Sequence, residues 1–134
     1  MKRSSWLTFL RWVCVLPASL LGFGASIVLS FPLTFLIFHV LPGAPHYPVD
    51  MTFDGALAAS LTIQFGAYAA PRHKVLVALF LLTVGGVFAW QLVGDFYWPM
   101  HGPHNETTRS WWPIIGTYLG GICTCAWVYV VTRD

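Results

Sequence analysis

Residues 75–94 read VLVALFLLTVGGVFAWQLVG, an uninterrupted run without a charged side chain. An α-helix rises about 1.5 Å per residue, so about 20 apolar residues cross the roughly 30 Å hydrocarbon core of a bilayer. Lys74 and Asp95 bound the run and mark where such a helix would meet water. This segment by itself predicts a membrane-spanning helix.

The remainder of the chain repeats this pattern, with further charge-free stretches at 12–49, 55–71 and 110–132. Only 9% of the 134 residues are charged, against about a quarter in a soluble domain, so most of the surface is not built for water. The apolar runs are continuous and do not alternate with polar residues, which excludes a transmembrane β-barrel. We predict one all-α domain over 1–134, a four-helix transmembrane bundle with helices at about 12–41, 52–70, 75–93 and 111–131 and outer loops at 42–51 and 94–110.

Prolines modify the first of these helices. Pro17 and Pro32 each lack a backbone N–H and crowd the preceding turn, so both positions predict kinks. In an alternative interpretation Pro17 begins the span, and residues 4–16 form a separate interfacial helix.

The basic residues predict the orientation of the bundle. With the N-terminus in the cytoplasm, six of the seven lysines and arginines lie inside, as the positive-inside rule requires. The outer side then receives the acidic residues Asp50, Asp54, Asp95 and Glu106, with Arg109 as its one cation. We therefore expect the N- and C-termini to be cytoplasmic.

Small residues recur at every fourth position on three of the helices, which is the pattern of close helix packing in lipid. The packing interpretation favours contacts within the bundle, and an alternative is that one stripe docks onto another membrane protein. The predicted packing residues are Gly22, Ser26 and Ser30 in the first helix, Thr62 and Gly66 in the second, and Gly116 and Gly120 in the fourth.

Charged residues are absent from the middle of every predicted span. Asp54 lies within the second span but is expected at its outer end, at the membrane interface. Pumps and proton-coupled carriers generally need such a residue. The sequence therefore disfavours ion-coupled transport.

Imidazoles and carboxylates collect in the two outer loops, and both are common metal ligands. Their spacing matches no established metal motif, and solvation of an ordinary loop explains them as well. The candidate metal ligands are His46, His101, His104 and Glu106.

Signatures of catalysis are missing: there is no phosphate-binding glycine loop, GxSxG, HExxH or CxxC. No cofactor and no nucleic-acid partner are expected, since the topology accounts for the basic residues. The stretch FGAYAAPRHK at 65–74 and the RWV start at 11–13 resemble small uncharacterised bacterial inner-membrane proteins of four helices. The resemblance implies an inner-membrane location and no activity.

The favoured function is that of a non-enzymatic membrane protein acting through helix packing. It would serve as an accessory, assembly or stabilising component, with the lipid bilayer and other membrane subunits, or copies of itself, as partners. Two alternatives remain open: a protein that handles a small ligand or metal through the outer loops, and a small homo-oligomeric channel or carrier.

Reporter fusions test the orientation. Fusions after Leu41 and at Asn105 are expected to report the outer compartment, and fusions after Lys74 and after Asp134 the cytoplasm, because the basic residues stay inside. A cytoplasmic signal from the Asn105 fusion would contradict the four-span arrangement.

Overall fold

The computed structural model describes residues 2–40, 46–95 and 111–133, which are almost entirely helical. Residues outside these ranges are not considered further in structural terms. The described helices are α1 (Lys2–Val13), α2 (Val15–Val40), α3 (His46–Ala69), α4 (Lys74–Asp95) and α5 (Trp112–Val131).

A single residue, Cys14, separates α1 from α2, and Pro17 explains the break. Proline has no N–H to donate to the carbonyl of Val13, four residues earlier, and its ring crowds that carbonyl. The flanking bonds persist: the Cys14 N–H donates to the Leu10 carbonyl and the Ala18 N–H to the Cys14 carbonyl, both at 3.0 Å. The single predicted helix at 12–41 is therefore two elements, divided close to the alternative boundary at residue 16.

The second long helix, α3, begins at His46, six residues before its predicted start at 52. Pro48 lies in its first turn, where N–H groups have no acceptor within the helix, so proline is tolerated there. The predicted outer loop at 42–51 is therefore helical from His46 onward, and this lengthens α3 to 24 residues.

Both remaining helices lie close to their predicted positions. α4 and α5 begin and end within two residues of 75–93 and 111–131. The turn between α3 and α4 contains His73 in the left-handed region, at φ 54°. This conformation is uncommon for a residue with a Cβ, and it reverses the chain within four residues.

Three segments within the described residues are long and apolar enough to cross a membrane: Ser5–Leu36, Lys74–Gln91 and Trp112–Val131. α3 has sufficient length but does not reach the same hydropathy, since its first turns carry acidic residues. This more polar helix is also the one that packs against α2, α4 and α5.

Residue pairs at the contacts define the helix directions. Gly22 of α2 lies against Leu61 of α3, and Ser19 lies against Gly66, so these two helices are antiparallel. The pairs between α3 and α5 are Thr52 with Gly116 and Ala56 with Gly120, so these two run parallel. Leu82 with Gly121 and Tyr118 with Gly86 make α4 antiparallel to α5. Such alternation is the arrangement that four successive spans would produce.

The buried core lies where α3, α4 and α5 meet. Ile63 is its largest fully buried side chain, at 1% exposure, and much of the rest is alanine. Small side chains bring the helix backbones close together, so packing replaces the hydrophobic drive that lipid does not supply. The buried cluster comprises Ile63, Ala67, Ala70, Val77, Ala78, Leu81, Cys125 and Val128.

Two glycines of α2 give a matched test of this packing. A Cβ on Gly22 would lie 2.8 Å from the carbonyl carbon of Leu61, whereas a Cβ on Gly24 meets nothing within 4 Å. Both alanine substitutions gain about 1 kcal/mol of helix propensity. We expect Gly22→Ala to be less stable than Gly24→Ala by about 1–3 kcal/mol, because only Gly22→Ala forces α2 away from α3.

Thermal unfolding of the two variants in the same detergent measures the difference. Equal midpoints would mean that the α2–α3 contact does not depend on the absence of a side chain at residue 22.

Candidate functional site

Most of the predicted metal ligands lie outside the described residues. His101, His104 and Glu106 belong to the segment 96–110, and of His46 the structure describes the backbone at the start of α3 but not the side chain. Within the described ranges, no group of three His, Cys, Asp or Glu side chains is close enough to hold a metal ion. The outer metal site therefore stays a prediction.

The four glycines predicted as packing residues lie at contacts between helices. A Cβ on Gly116 or Gly120 would come within 2.7 Å of backbone atoms of Thr52 and Ala56 in α3. A Cβ on Gly66 would meet the side chains of Ser19 and Leu81, and Gly22 has the contact with Leu61 described above.

The three predicted packing residues with hydroxyl groups have different surroundings. Ser26 is buried and donates to the Phe23 carbonyl at 2.6 Å, so its polarity is satisfied within α2. Thr62 is half-buried, and its Cα lies 3.1 Å from the Cβ position of Gly22. Ser30 lies close to a residue that the sequence predicts at the membrane interface.

That residue is Asp54 of α3. The early start of α3 makes Asp54 the ninth of its 24 residues, and Ser30 is the sixteenth of the 26 residues of α2. Asp54 is half-buried between these helices, more than two turns from the start of its own helix. The loop predicted before Asp54 is thus helical from His46 onward, and the interfacial position of Asp54 stays a prediction.

The Asp54 carboxyl group lies near one hydroxyl group of α2. The Ser30 hydroxyl donates to the Ile27 carbonyl oxygen at 3.1 Å within α2 and lies close to the Asp54 carboxyl group. The Oδ1 atom of Asp54 is buried and has no hydrogen-bond partner within the described part of the chain. Asp50 lies one turn away on the same side of α3 and adds a second negative charge.

The chemistry available to the Asp54 carboxyl group is limited. A buried carboxylate without a partner costs free energy, and the cost falls when the group takes up a proton or meets a donor. Asp54 can therefore hold a proton or accept a hydrogen bond from a ligand or another helix.

Sequence reasoning missed this site although one signal was available. His46, Asp50 and Asp54 recur at every fourth residue, which is the spacing of one helix face. Pro48 does not prevent a helix here, because the first turn of a helix tolerates proline.

Comparison with known proteins identifies no relative: no protein-family model, curated protein or solved structure matches the chain. The site is therefore interpreted from its own geometry.

Replacing Asp54 tests whether its carboxyl group supports the fold. We expect Asp54→Asn to keep or raise the thermal midpoint in detergent, because a neutral amide of the same shape costs less to bury. Asp50→Asn is the matched control, one turn away, and we expect it to change the midpoint little. A clear loss of stability in Asp54→Asn alone would show that the charge itself holds α2 to α3.

Proposed function

We propose that this chain is a bacterial inner-membrane protein that crosses the bilayer four times, with cytoplasmic termini, and acts without catalysis as an accessory or assembly component of a membrane complex. The observation that carries the proposal is a surface of α2 that packing within the chain leaves unused. The basic-residue distribution supports the orientation, and the resemblance at 65–74 supports the location.

Four spans require α3 to cross as well, and its neighbours support this. α3 lies between α2 and α5: its backbone at Thr52 and Ala56 meets glycines of α5, and its backbone at Leu61 meets Gly22 of α2. Polar residues inside a membrane generally face the interior of a bundle, which is where the α2–α3 contact puts Asp54. The other three segments have the hydropathy to span unaided.

The unused surface is centred on Gly24. Residues two apart on a helix point about 200° apart, so Gly24 faces away from the Gly22 contact with α3. Its neighbours on that side, Leu20, Val28 and Phe31, are 69%, 72% and 83% exposed. A Cβ on Gly24 would meet nothing within 4 Å, so the glycine forms a notch between large apolar side chains.

Glycine in the interior of a helix is destabilising by about 1 kcal/mol relative to alanine, and here no contact with a described residue requires it. Close approach of another membrane helix does require a small residue. We therefore assign the notch at Gly24 to a transmembrane helix of another subunit.

A second candidate function follows from Asp54. A half-buried intramembrane carboxyl with an unpartnered oxygen is typical of proteins that move protons or cations. The channel or carrier alternative therefore gains support, because the sequence argument against it was that no charge falls in the middle of a predicted span.

A larger residue at the notch tests the accessory function. We expect wild-type protein, extracted gently from its own membranes, to migrate as a complex larger than one chain. Gly24→Leu should lose that complex while keeping the monomer's thermal midpoint, because leucine fills the notch without touching α3. Native gel electrophoresis with mass spectrometry of the band measures both its size and its composition.

Gly85→Leu in α4 is the matched control, since a Cβ at Gly85 also meets nothing within 4 Å. The complex should survive this change. A wild-type protein that migrates as a monomer would contradict the proposal, as would a Gly24→Leu complex of unchanged size. A band that contains only this chain would mean that the partner helix at Gly24 belongs to a second copy of the chain and not to another subunit.

A further inference from the structure

The first helix, α1, lies beyond the end of the bundle. Ser19 of α2 lies against Gly66, close to Ala69, the last residue of α3. Because these two helices are antiparallel, α3 ends about level with the first turn of α2. The 12 residues of α1 come before that level, and among the described residues α1 packs appreciably only on α2.

The length of α2 leaves α1 outside the hydrocarbon core. The 26 residues of α2 measure about 39 Å, which is more than the roughly 30 Å of the core. The apolar segment Ser5–Leu36 includes most of α1 as well, and its 32 residues measure about 48 Å. One end of this segment therefore leaves the core. The contacts of α2 with α3 keep α2 level with the bundle, so the end that leaves is α1.

Large apolar side chains form one face of α1. Trp6, Phe9, Leu10 and Val13 have the spacing i, i+3, i+4 and i+7, which puts them on one side of a helix. The rings of Trp6 and Phe9 stack with their centroids 5.8 Å apart. Each of the four side chains is at least 39% exposed, so the described part of the chain leaves much of this apolar face uncovered.

The opposite side of α1 is polar. Thr8 and Arg11 lie about 150° from the centre of the apolar face, and Arg11 is exposed. Leu7 and Trp12 flank the apolar face on its two sides. A helix with this division, and with tryptophan at the boundary, is typical of helices that lie in the membrane interface.

The charge of α1 indicates which surface it binds. Its charged residues are Lys2, Arg3 and Arg11, and it has no acidic residue. Basic segments next to a membrane helix are attracted by anionic lipids, which give the membrane surface a negative potential. The apolar face has no small residue of the kind that lets a second helix approach closely in lipid. Both observations favour an anionic lipid surface over a protein helix.

The junction with α2 permits α1 to lie along that surface. Pro17 cannot donate to the Val13 carbonyl, and the loss of this bond makes the helix easier to bend near Cys14. A straight continuation of α2 would carry the apolar face into water. A bend instead puts the same side chains against lipid, where their burial is favourable.

We propose that α1 is a membrane-surface helix that binds anionic phospholipid, with its apolar face among the acyl chains and Arg11 among the headgroups. The proposal rests on the proposed function in one respect, which is that α2 crosses the bilayer. It is independent of the Gly24 notch and of Asp54.

Spin labels on the full-length protein test the proposal by electron paramagnetic resonance. The three native cysteines are replaced by alanine, and a single label is attached at Phe9→Cys, Thr8→Cys or Val28→Cys. The protein is reconstituted in vesicles of phosphatidylcholine, with and without phosphatidylglycerol. For each label, the measurement compares accessibility to oxygen, which concentrates in lipid, with accessibility to a water-soluble nickel complex.

The two faces of α1 should differ in vesicles that contain phosphatidylglycerol. We expect the label at Phe9→Cys to be accessible mainly to oxygen and the label at Thr8→Cys mainly to nickel. The label at Val28→Cys, on the exposed side of α2, should be accessible mainly to oxygen in both kinds of vesicle. Without phosphatidylglycerol, a larger share of α1 should leave the surface, and the Phe9→Cys label should become more accessible to nickel.

Two arginines give a matched test of the charge. Arg11→Gln removes an exposed arginine from α1, and Arg72→Gln removes one from the turn between α3 and α4. In vesicles with phosphatidylglycerol, we expect Arg11→Gln to lower the ratio of lipid-bound to water-exposed α1 by about fivefold. Arg72→Gln should leave this ratio unchanged, and so should Arg11→Lys, which keeps the charge.

Several results would overturn the proposal. A water-exposed label at Phe9→Cys beside a lipid-exposed label at Val28→Cys would do so, as would equal results with and without phosphatidylglycerol. Equal effects of Arg11→Gln and Arg72→Gln would also contradict it. Protection of the Phe9→Cys label from both reagents would mean that protein, and not lipid, covers the apolar face. A water-exposed label at Val28→Cys would instead contradict the crossing of α2, and with it the proposed function.

Discussion

The bundle depends on the close approach of the α3 backbone to two neighbours at once. Gly22 brings α2 against it, and Gly116 and Gly120 bring α5 against it, at distances that admit no Cβ. In lipid there is little hydrophobic attraction between helices, so this close packing supplies much of the cohesion. It also shields the least hydrophobic of the long helices. α3 carries Asp50 and Asp54, and its neighbours remove much of that polar surface from the surroundings.

The same arrangement makes the bundle asymmetric. α3, α4 and α5 form the buried core together, whereas α2 packs mainly on α3. Much of the circumference of α2 is therefore exposed, and Gly24 lies on that exposed side. The proposed contact with a partner helix follows from this geometry. The notch lies on α2, whose main contact is with α3.

Prediction from the sequence succeeded where charges bound an apolar run. Lys74 and Asp95 delimit α4, and the charge-free stretch at 110–132 contains α5. It failed at the start of α3, because the effect of a proline depends on its position: Pro48 is tolerated in a first turn, whereas Pro17 interrupts the helix. Spacing placed the small residues on common helix faces. It did not indicate which helix contacts each face, since that requires knowing which side of α2 has a neighbour.

Asp54 links the packing of the bundle to the chemistry available to it. An asparagine or alanine at this position would cost less to bury, and the partly satisfied carboxyl group contributes little to cohesion. Ser30, which lies close to the Asp54 carboxyl group, belongs to α2. A change in the charge of Asp54 therefore acts directly on the α2–α3 contact. That contact is also the main attachment of the helix carrying the Gly24 notch. Binding of a proton, or of a hydrogen-bond donor, at Asp54 would therefore change the strength of the α2–α3 contact. The surface that α2 offers to a partner helix would change with it.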